Sequence, residues 1–320
     1  MLGQQVEMTD RTFEAGSAPR RRRATATSAF GVGRRESHDA SAFYDQFAPP
    51  VVSTDDRVNP CTVRDRLFCG DSRDMAVVDD ASVALVVTSP PYFAAKEYEQ
   101  AAGSGNVAGT FVEYLAMLRD IFAECVRVLE PGGRMAVNVA NLGRKPYRSL
   151  SADVTRILGD ELGLLLRGEV VWVKAEGATG SCAWGSYASS AAPAIRDVSE
   201  RIVLASKGRF DRALTRAQRA ARGLPHQSTI TAEEFMALTL DVWRFPTASA
   251  RRIGHPAPFP LELPRRAIEL LTYQGDTVLD PFMGSGQVAL AAVDTGRHYV
   301  GFDLDLHYVE LARQRLGLQA

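Results

Sequence analysis

The chain has 320 residues, 46% of them apolar, and a formal net charge of −1. That length buries one large core or two modest ones, and no stretch approaches the ~18 apolar residues of a membrane-spanning helix. The polar, Arg-rich start lacks the apolar core of a secretory signal, and Cys61, Cys69, Cys125 and Cys182 follow no zinc spacing, so a cytoplasmic protein without a metal site is expected.

Residues 1 to about 55 combine Arg20-Arg-Arg-Arg23 with Thr, Ser and Ala stretches and few large apolar side chains. They offer too little burial to offset ordering entropy and are expected to form a disordered tail. Arg66-Leu-Phe-Cys-Gly70 reads as a short strand, with Asp71 at the turn after it, a position equally suited to a turn cap. Ser82-Val-Ala-Leu-Val-Val87 reads as a buried strand running into Thr88-Ser-Pro-Pro-Tyr92. Residues 93–105 read as a flexible loop.

Thr110-Phe-Val-Glu113 is a capping box, and Phe111, Leu115, Leu118, Phe122, Cys125 and Leu129 keep helical spacing after it. Pro131-Gly-Gly133 is expected to stop that helix. Strands are predicted over 134–139, 169–173 and 201–205, and a helix over about 151–165. Helices alternating with strands imply an α/β sheet covered on both faces. Residues 177–197 form a long Gly/Ser/Ala-rich loop containing Trp184-Gly-Ser-Tyr187, and loops of that length are usually functional or disordered.

From Arg201 to Arg222 there are seven basic residues and one acid, Asp211. Arg212, Arg216 and Arg219 recur at offsets of 4 and 3, which on a helix places them on one face. With Arg209 and Arg222 they suit phosphate contacts and the reading of guanine edges; a solvated helix is the plainer alternative. His255-Pro-Ala-Pro-Phe-Pro260 is a rigid Pro-spaced segment, and residues 263–273 form a helix leading towards Asp280.

Asp280-Pro-Phe-Met-Gly-Ser-Gly286 lies between the apolar run Thr277-Val-Leu279 and the helix-forming Gln287-Val-Ala-Leu-Ala-Ala292. Strand, glycine turn and helix in that order make an anion- and nucleotide-binding corner, in which Gly284 and Gly286 permit positive φ. A further strand, His298-Tyr-Val-Gly-Phe302, ends at Asp303, where a doubly wound fold holds ribose hydroxyls. Asp305 suits the cap of a helix starting near Leu306.

Thr88-Ser-Pro-Pro-Tyr92 at a strand end, together with Asp280-Pro-Phe-Met-Gly-Ser-Gly286, resembles the amino-methylating DNA methyltransferases. These move a methyl group from S-adenosylmethionine to N4 of cytosine or N6 of adenine. The catalytic stretch precedes the cofactor stretch, which resembles the circularly permuted, beta-class group. The resemblance spans roughly residues 67–316. It implies a Rossmann-like S-adenosylmethionine-dependent methyltransferase fold with a mostly parallel, seven-stranded-type sheet. The methyltransferase domain would be 56–320, with a catalytic half over 64–205, a small inserted target-recognition region over about 177–250 and a cofactor half over 255–317.

The resemblance also implies roles. Asp71 would lie near the cofactor adenine, Asp280 near the methionine amino end, Phe282 beside the methionine chain and Asp303 on the ribose. Pro281, Gly284 and Gly286 would complete the cofactor turn. Arg209, Arg212, Arg216, Arg219 and Arg222 fall in the interval that carries target recognition. Double-stranded DNA is the implied partner, with a cognate restriction endonuclease as a second, for a monomer or homodimer.

The chemistry suits those residues. The exocyclic amine of a base is a poor nucleophile because its lone pair is conjugated into the ring. Two rigid acceptors facing the NH2 make the nitrogen more tetrahedral, and Ser89 Oγ and the Pro90 carbonyl are candidates. Pro90 and Pro91 fix φ and preorganise the turn, and Tyr92 offers an aromatic face to a base swung out of the duplex. Serine at the first motif position resembles the N4-cytosine enzymes; Asp or Asn is usual for N6-adenine, which stands as the alternative. Cytosine-C5 methylation needs a Cys nucleophile, and Cys61 in Asn59-Pro-Cys-Thr62 lies outside any strand-to-site context. A nicotinamide dehydrogenase leaves Ser-Pro-Pro-Tyr unexplained, RNA and protein amine methylation usually place the cofactor motif first, and a catalytically silent DNA-binding module needs neither motif.

Overall fold

Strands rich in Val and Leu and helices with one apolar stripe assemble into a single sheet with helices on both faces. The computed structural model describes residues 51–92, 110–142, 146–174, 185–195, 197–248 and 259–318. The strands are β1 (Arg66–Cys69), β2 (Val83–Thr88), β3 (Leu129–Val139), β4 (Leu165–Val173), β5 (Ser199–Ser206), β6 (Val242–Arg244), β7 (Thr277–Asp280) and β8 (His298–Asp303). The helices are α1 (Phe111–Val128), α2 (Leu150–Arg156), α3 (Arg216–Ala221), α4 (Ala232–Leu238), α5 (Glu262–Leu271), α6 (Gln287–Asp294) and α7 (Leu306–Arg315).

The spatial order is β1-β8-β7-β2-β3-β5-β4-β6. The strands from β1 to β3 are mutually parallel. β5 runs against both β3 and β4, and β6 is parallel to β4. Among the described residues the sheet is thus mostly parallel, as expected, but with eight strands rather than seven and β5 reversed. All six residues of β2 are buried, because helices cover both faces of a parallel sheet. Val86 contributes to a core with α1 and α2 residues such as Phe122 and Val154. Leu85 and Val87 contribute to a second core with α5, α6 and α7 residues such as Ile268, Val288 and Ala312.

α1 begins at the expected capping box: Glu113 N donates to Thr110 Oγ1 and Thr110 N to Glu113 Oε2. It ends at Val128 with Leu129 as its C-cap, two residues before Pro131, which cannot continue a helix. The triplet itself lies within β3, where the β2–β3 register slips between Val83 and Leu85. Gly132, with φ of +76°, is required there, since a Cβ would lie 1.9 Å from the Asp211 carbonyl oxygen. The helix expected over 151–165 is α2 followed by one π turn, Ile157–Glu161, ended before Gly163 takes a φ of +67°.

The expected tail is described only from Val51, where Ser53 N donates to the Gly208 carbonyl. The expected loop at 93–105, Cys182, Trp184 and His255 lie outside the described residues. No helix among the described residues is long and apolar enough to cross a membrane.

Candidate active site

The topology gathers chemistry-bearing residues at one edge of the sheet. β7 and β2 are neighbours, yet α6 carries the chain from β7 to β8 on one side and α1 carries it from β2 to β3 on the other. That is a topological switch point, where ligands bind beyond the carboxyl ends of the strands. Thr88, Asp280 and Asp303 stand at the ends of β2, β7 and β8. β5 is reversed, so its first residues, including Glu200, reach the same edge.

The two sequence motifs meet there. Thr88 Oγ1 donates to Asp280 Oδ1 at 2.7 Å, and Phe282 N donates to the same oxygen at 3.0 Å. Asp280 is 2% exposed, and its Oδ2 has no hydrogen-bond partner. Burial pushes its carboxyl up to about 7, against the lowering effect of the Thr88 hydroxyl. A buried carboxylate oxygen left unpaired is costly, and a cationic amine is the ligand that would satisfy it.

The glycine turn is built as its sequence predicts. Gly284 and Gly286 have φ of +46° and +78°, and Gly286 is the N-cap of α6, with no side chain capping that helix. A Cβ at Gly286 would lie 2.8 Å from Ala312 Cβ, so the turn is pinned against α7. Arg315 of α7 donates to the Ser285 carbonyl and to Gln287 Oε1. Ser72 Oγ donates to the Pro281 carbonyl at 2.6 Å, and Phe282 is half-buried against the first core.

Asp303 accepts from Gly284 N at 2.9 Å and from Asp305 N at 2.9 Å. Burial pushes its carboxyl up despite these bonds. Asp305 caps α7 through His307 N, as its position in the sequence suggested. Asp71 follows β1, whose Cys69 pairs with Asp303. Its carboxylate accepts from Arg73 N and pairs with the Arg73 guanidinium, which holds it below the usual carboxylate range. Asp71 therefore caps its own turn.

Ser89, Pro91 and Tyr92 are half-buried and Pro90 is buried. The Tyr114 hydroxyl of α1 donates to the Pro91 carbonyl at 2.7 Å. Ser89 Oγ lies 2.9 Å from the Tyr92 hydroxyl, which donates to Glu200 Oε2 at 2.9 Å. Asn138 Nδ2 donates to the same Glu200 oxygen, and Lys174 Nζ pairs with Glu200 Oε1 at 3.0 Å. Burial first, and the Glu200 charge second, hold the Tyr92 phenol well above its usual range. Asn138, Lys174 and Glu200 were not singled out from sequence. Asn138 had a signal, as the one polar residue in the apolar run Met135-Ala-Val-Asn-Val139. Lys174 and Glu200 had none, because 26 residues separate them and only the β4–β5 pairing brings them together.

The basic stretch divides. Arg212 and Arg219 are not available to DNA. Their side chains are 8% and 1% exposed and form a buried four-membered cluster with Glu130 and Asp276. Both guanidiniums also stack over Tyr273. α3 begins only at Arg216, so Arg212 does not share its helical face. The burial has a cause in the chain. The segment from Lys207 to Ala213 hydrogen-bonds the Pro131-Gly-Gly133 bend, beside Glu130. Arg209 is partly buried and donates to the Asp55 carbonyl. Arg216 is exposed, and the side chain of Arg222 is half exposed. Cys61 is buried in the first core, away from any nucleophile role. Among the described residues no His, Cys, Asp or Glu cluster could hold a metal.

This chain matches the N6/N4 family described as DNA methylase over residues 83–314. It is 26% identical over 291 residues to the type II methyltransferase M.MjaI of Methanocaldococcus jannaschii, covering 81% of this chain and 93% of that one. It is 30% identical over 282 residues to the type II methyltransferase M.XycI of Xanthomonas campestris pv. cyanopsidis, covering 78% and 87%. TTHA0409 of Thermus thermophilus, solved in complex with S-adenosyl-L-methionine, superposes with a TM-score of 0.60 at 28% identity, covering 79% and 93%. The cytosine-N4-specific PvuII DNA methyltransferase shares the fold, with a TM-score of 0.60 at 20% identity. The family match runs through both motifs that meet at β2 and β7, and the chain belongs to the N4/N6 DNA methylase family, whose reaction draws on S-adenosylmethionine.

Proposed function

We propose that this protein methylates the exocyclic N4 amine of cytosine in double-stranded DNA, by swinging the base out of the duplex and transferring the methyl group directly. The observation that carries the reading is the hydrogen bond from Thr88 to Asp280, because it fixes the Ser-Pro-Pro-Tyr turn beside a carboxylate with an unpaired oxygen. The residues present fit the cofactor. Asp280 Oδ2 suits the methionine ammonium, no side chain caps the N-terminus of α6, and Asp303 and Asp71 stand at adjoining strand ends. When bound, S-adenosylmethionine supplies a methyl group already activated on a sulfonium.

The chain's own residues supply orientation. Ser89 Oγ accepts one hydrogen of the target amine. The Pro91 carbonyl is engaged by Tyr114, so the Pro90 carbonyl is the second acceptor. Accepting both N–H bonds turns the nitrogen lone pair out of the ring and towards the methyl carbon, and preorganisation of such acceptors is worth much of the rate. Tyr92 is anchored through its hydroxyl and offers its ring to the flipped base. Serine rather than Asp or Asn at position 89 favours cytosine N4. The type II relatives favour a role beside a restriction endonuclease.

The test is incubation with methyl-labelled S-adenosylmethionine and unmodified double-stranded DNA, followed by nucleoside mass spectrometry. N4-methylcytosine is expected. N6-methyladenine alone would move the assignment to adenine, and no labelled nucleoside would overturn the reading.

A further inference from the structure

We propose that Glu200, acting through the Tyr92 hydroxyl, fixes Ser89 as a hydrogen-bond acceptor towards the target base, so that the site selects an amine over a carbonyl. The proposal rests on the methyltransferase reading above and adds a positioning residue from a strand remote from both motifs.

Glu200 is 9% exposed, and its Oε1 is paired with Lys174. Its Oε2 faces two groups, Tyr92 OH at 2.9 Å and Asn138 Nδ2 at 2.5 Å. A carboxylate only accepts, so the single phenolic proton of Tyr92 is committed to Glu200. That proton stays in place at neutral pH, because burial and the adjacent charge both disfavour the phenolate. Towards Ser89, 2.9 Å away, the Tyr92 oxygen can therefore only accept. The one hydroxyl proton of Ser89 goes to Tyr92, and Ser89 faces the base with lone pairs alone.

Asn138 reinforces the direction. One Nδ2 proton goes to Glu200, and the other is shared between Tyr92 OH at 3.2 Å and Ser89 Oγ at 3.4 Å, so Asn138 meets both oxygens only as a donor. The opposite amide orientation would set Oδ1 against the Glu200 carboxylate, so the network selects this one. The relay therefore runs from Ser89 to Tyr92 to Glu200, each hydroxyl giving its one proton to the next oxygen.

The consequence is a polarity filter. A cytosine or adenine amine donates to Ser89. A uracil or hypoxanthine carbonyl at the same place would meet lone pairs. Without the Tyr92 hydroxyl, the Ser89 proton is free to turn towards the base, where it would serve a carbonyl as well as an amine.

The experiment first maps the methylated sequence on DNA treated with the wild-type protein. It then compares wild type, Tyr92→Phe, Glu200→Gln and Ser89→Ala on two duplexes, one carrying the target base and one with its amine replaced by a carbonyl. Duplex affinity, S-adenosylmethionine affinity and the single-turnover methyl-transfer rate are measured. Tyr92→Phe and Glu200→Gln should keep cofactor affinity, slow transfer, and narrow the amine-over-carbonyl preference by roughly two- to tenfold, the worth of one hydrogen bond. An unchanged preference in Tyr92→Phe overturns the proposal whether or not the rate falls, because a purely structural role lowers rate without changing polarity. Should Glu200→Gln fail to fold, Tyr92→Phe alone decides. Ser89→Ala separates the two levels. Wild-type transfer in Ser89→Ala would sink the underlying reading, whereas a slow Ser89→Ala beside an unaltered Tyr92→Phe would sink only the relay.

Discussion

Replacing Asp280 by Asn should make the protein more stable at alkaline pH while weakening its hold on S-adenosylmethionine. The carboxyl is 2% exposed, one of its oxygens is unpaired, and burial moves it from 3.8 to about 7. Because the folded value lies above the unfolded one, nothing is lost below pH 3.8, where both states hold the proton. Between 3.8 and about 7 the unfolded chain has released the proton and the folded chain has not, so stability falls as pH rises. At about 1.4 kcal/mol per pH unit, the loss saturates near ~4 kcal/mol above about pH 7. The Asn variant carries no such dependence. It keeps the acceptor for Thr88 and Phe282, while its buried NH2 costs about 1–3 kcal/mol at every pH. Urea unfolding of both proteins from about pH 4 to about pH 8 should therefore show their difference moving by roughly 4 kcal/mol in favour of Asn. Titration with S-adenosylmethionine at about pH 8 should show affinity reduced by roughly 10- to 100-fold, the loss of one charge-assisted hydrogen bond. A stability difference that stays flat across that pH range would refute the burial argument. Equal cofactor affinity would refute the placement of the ammonium at Asp280.

Ser89→Ala should retain cofactor affinity and lose on the order of 10²-fold in methyl-transfer rate, as expected for removal of one oriented hydrogen-bond partner; single-turnover kinetics check this. Arg219→Ala leaves Glu130 and Asp276 short of a buried partner and should cost about 3–5 kcal/mol in urea unfolding. Measured where the variant is folded, the salt dependence of its DNA binding should match wild type, and a flattened slope would show that Arg219 reaches phosphate after all. Arg216→Gln combined with Arg222→Gln removes the two exposed arginines of the stretch and should lower the log–log salt slope by about 0.9 for each phosphate no longer neutralised. An unmoved slope would direct attention to the connection between β4 and β5, which leaves the sheet beside Lys174 and Glu200.

What is local in the fold was legible in the chain. Thr110 and Glu113 close a capping box because their spacing brings each side chain to the other's backbone. Gly284 and Gly286 take positive φ because the turn after β7 needs it, and Asp305 caps α7 from the position its sequence assigned. The continuous apolar run before Thr88 is buried on both faces, and the two motifs together pointed to the family and its Rossmann-like fold. What depends on partners far along the chain emerged only on folding. Lone charges in a basic stretch look alike in sequence. Glu130, 82 residues before Arg212, and Asp276, 57 after Arg219, turned two of them into a buried cluster. Pro131-Gly-Gly133 reads in sequence only as a helix stop, and the fold adds that it is a bend inside β3 that receives the backbone at Asp211. The proton relay behind Ser89 was invisible for the same reason. Glu200 reaches Tyr92 across 108 residues of chain, and it does so only because β5 runs antiparallel and delivers its first residues, rather than its last, to the catalytic edge of the sheet.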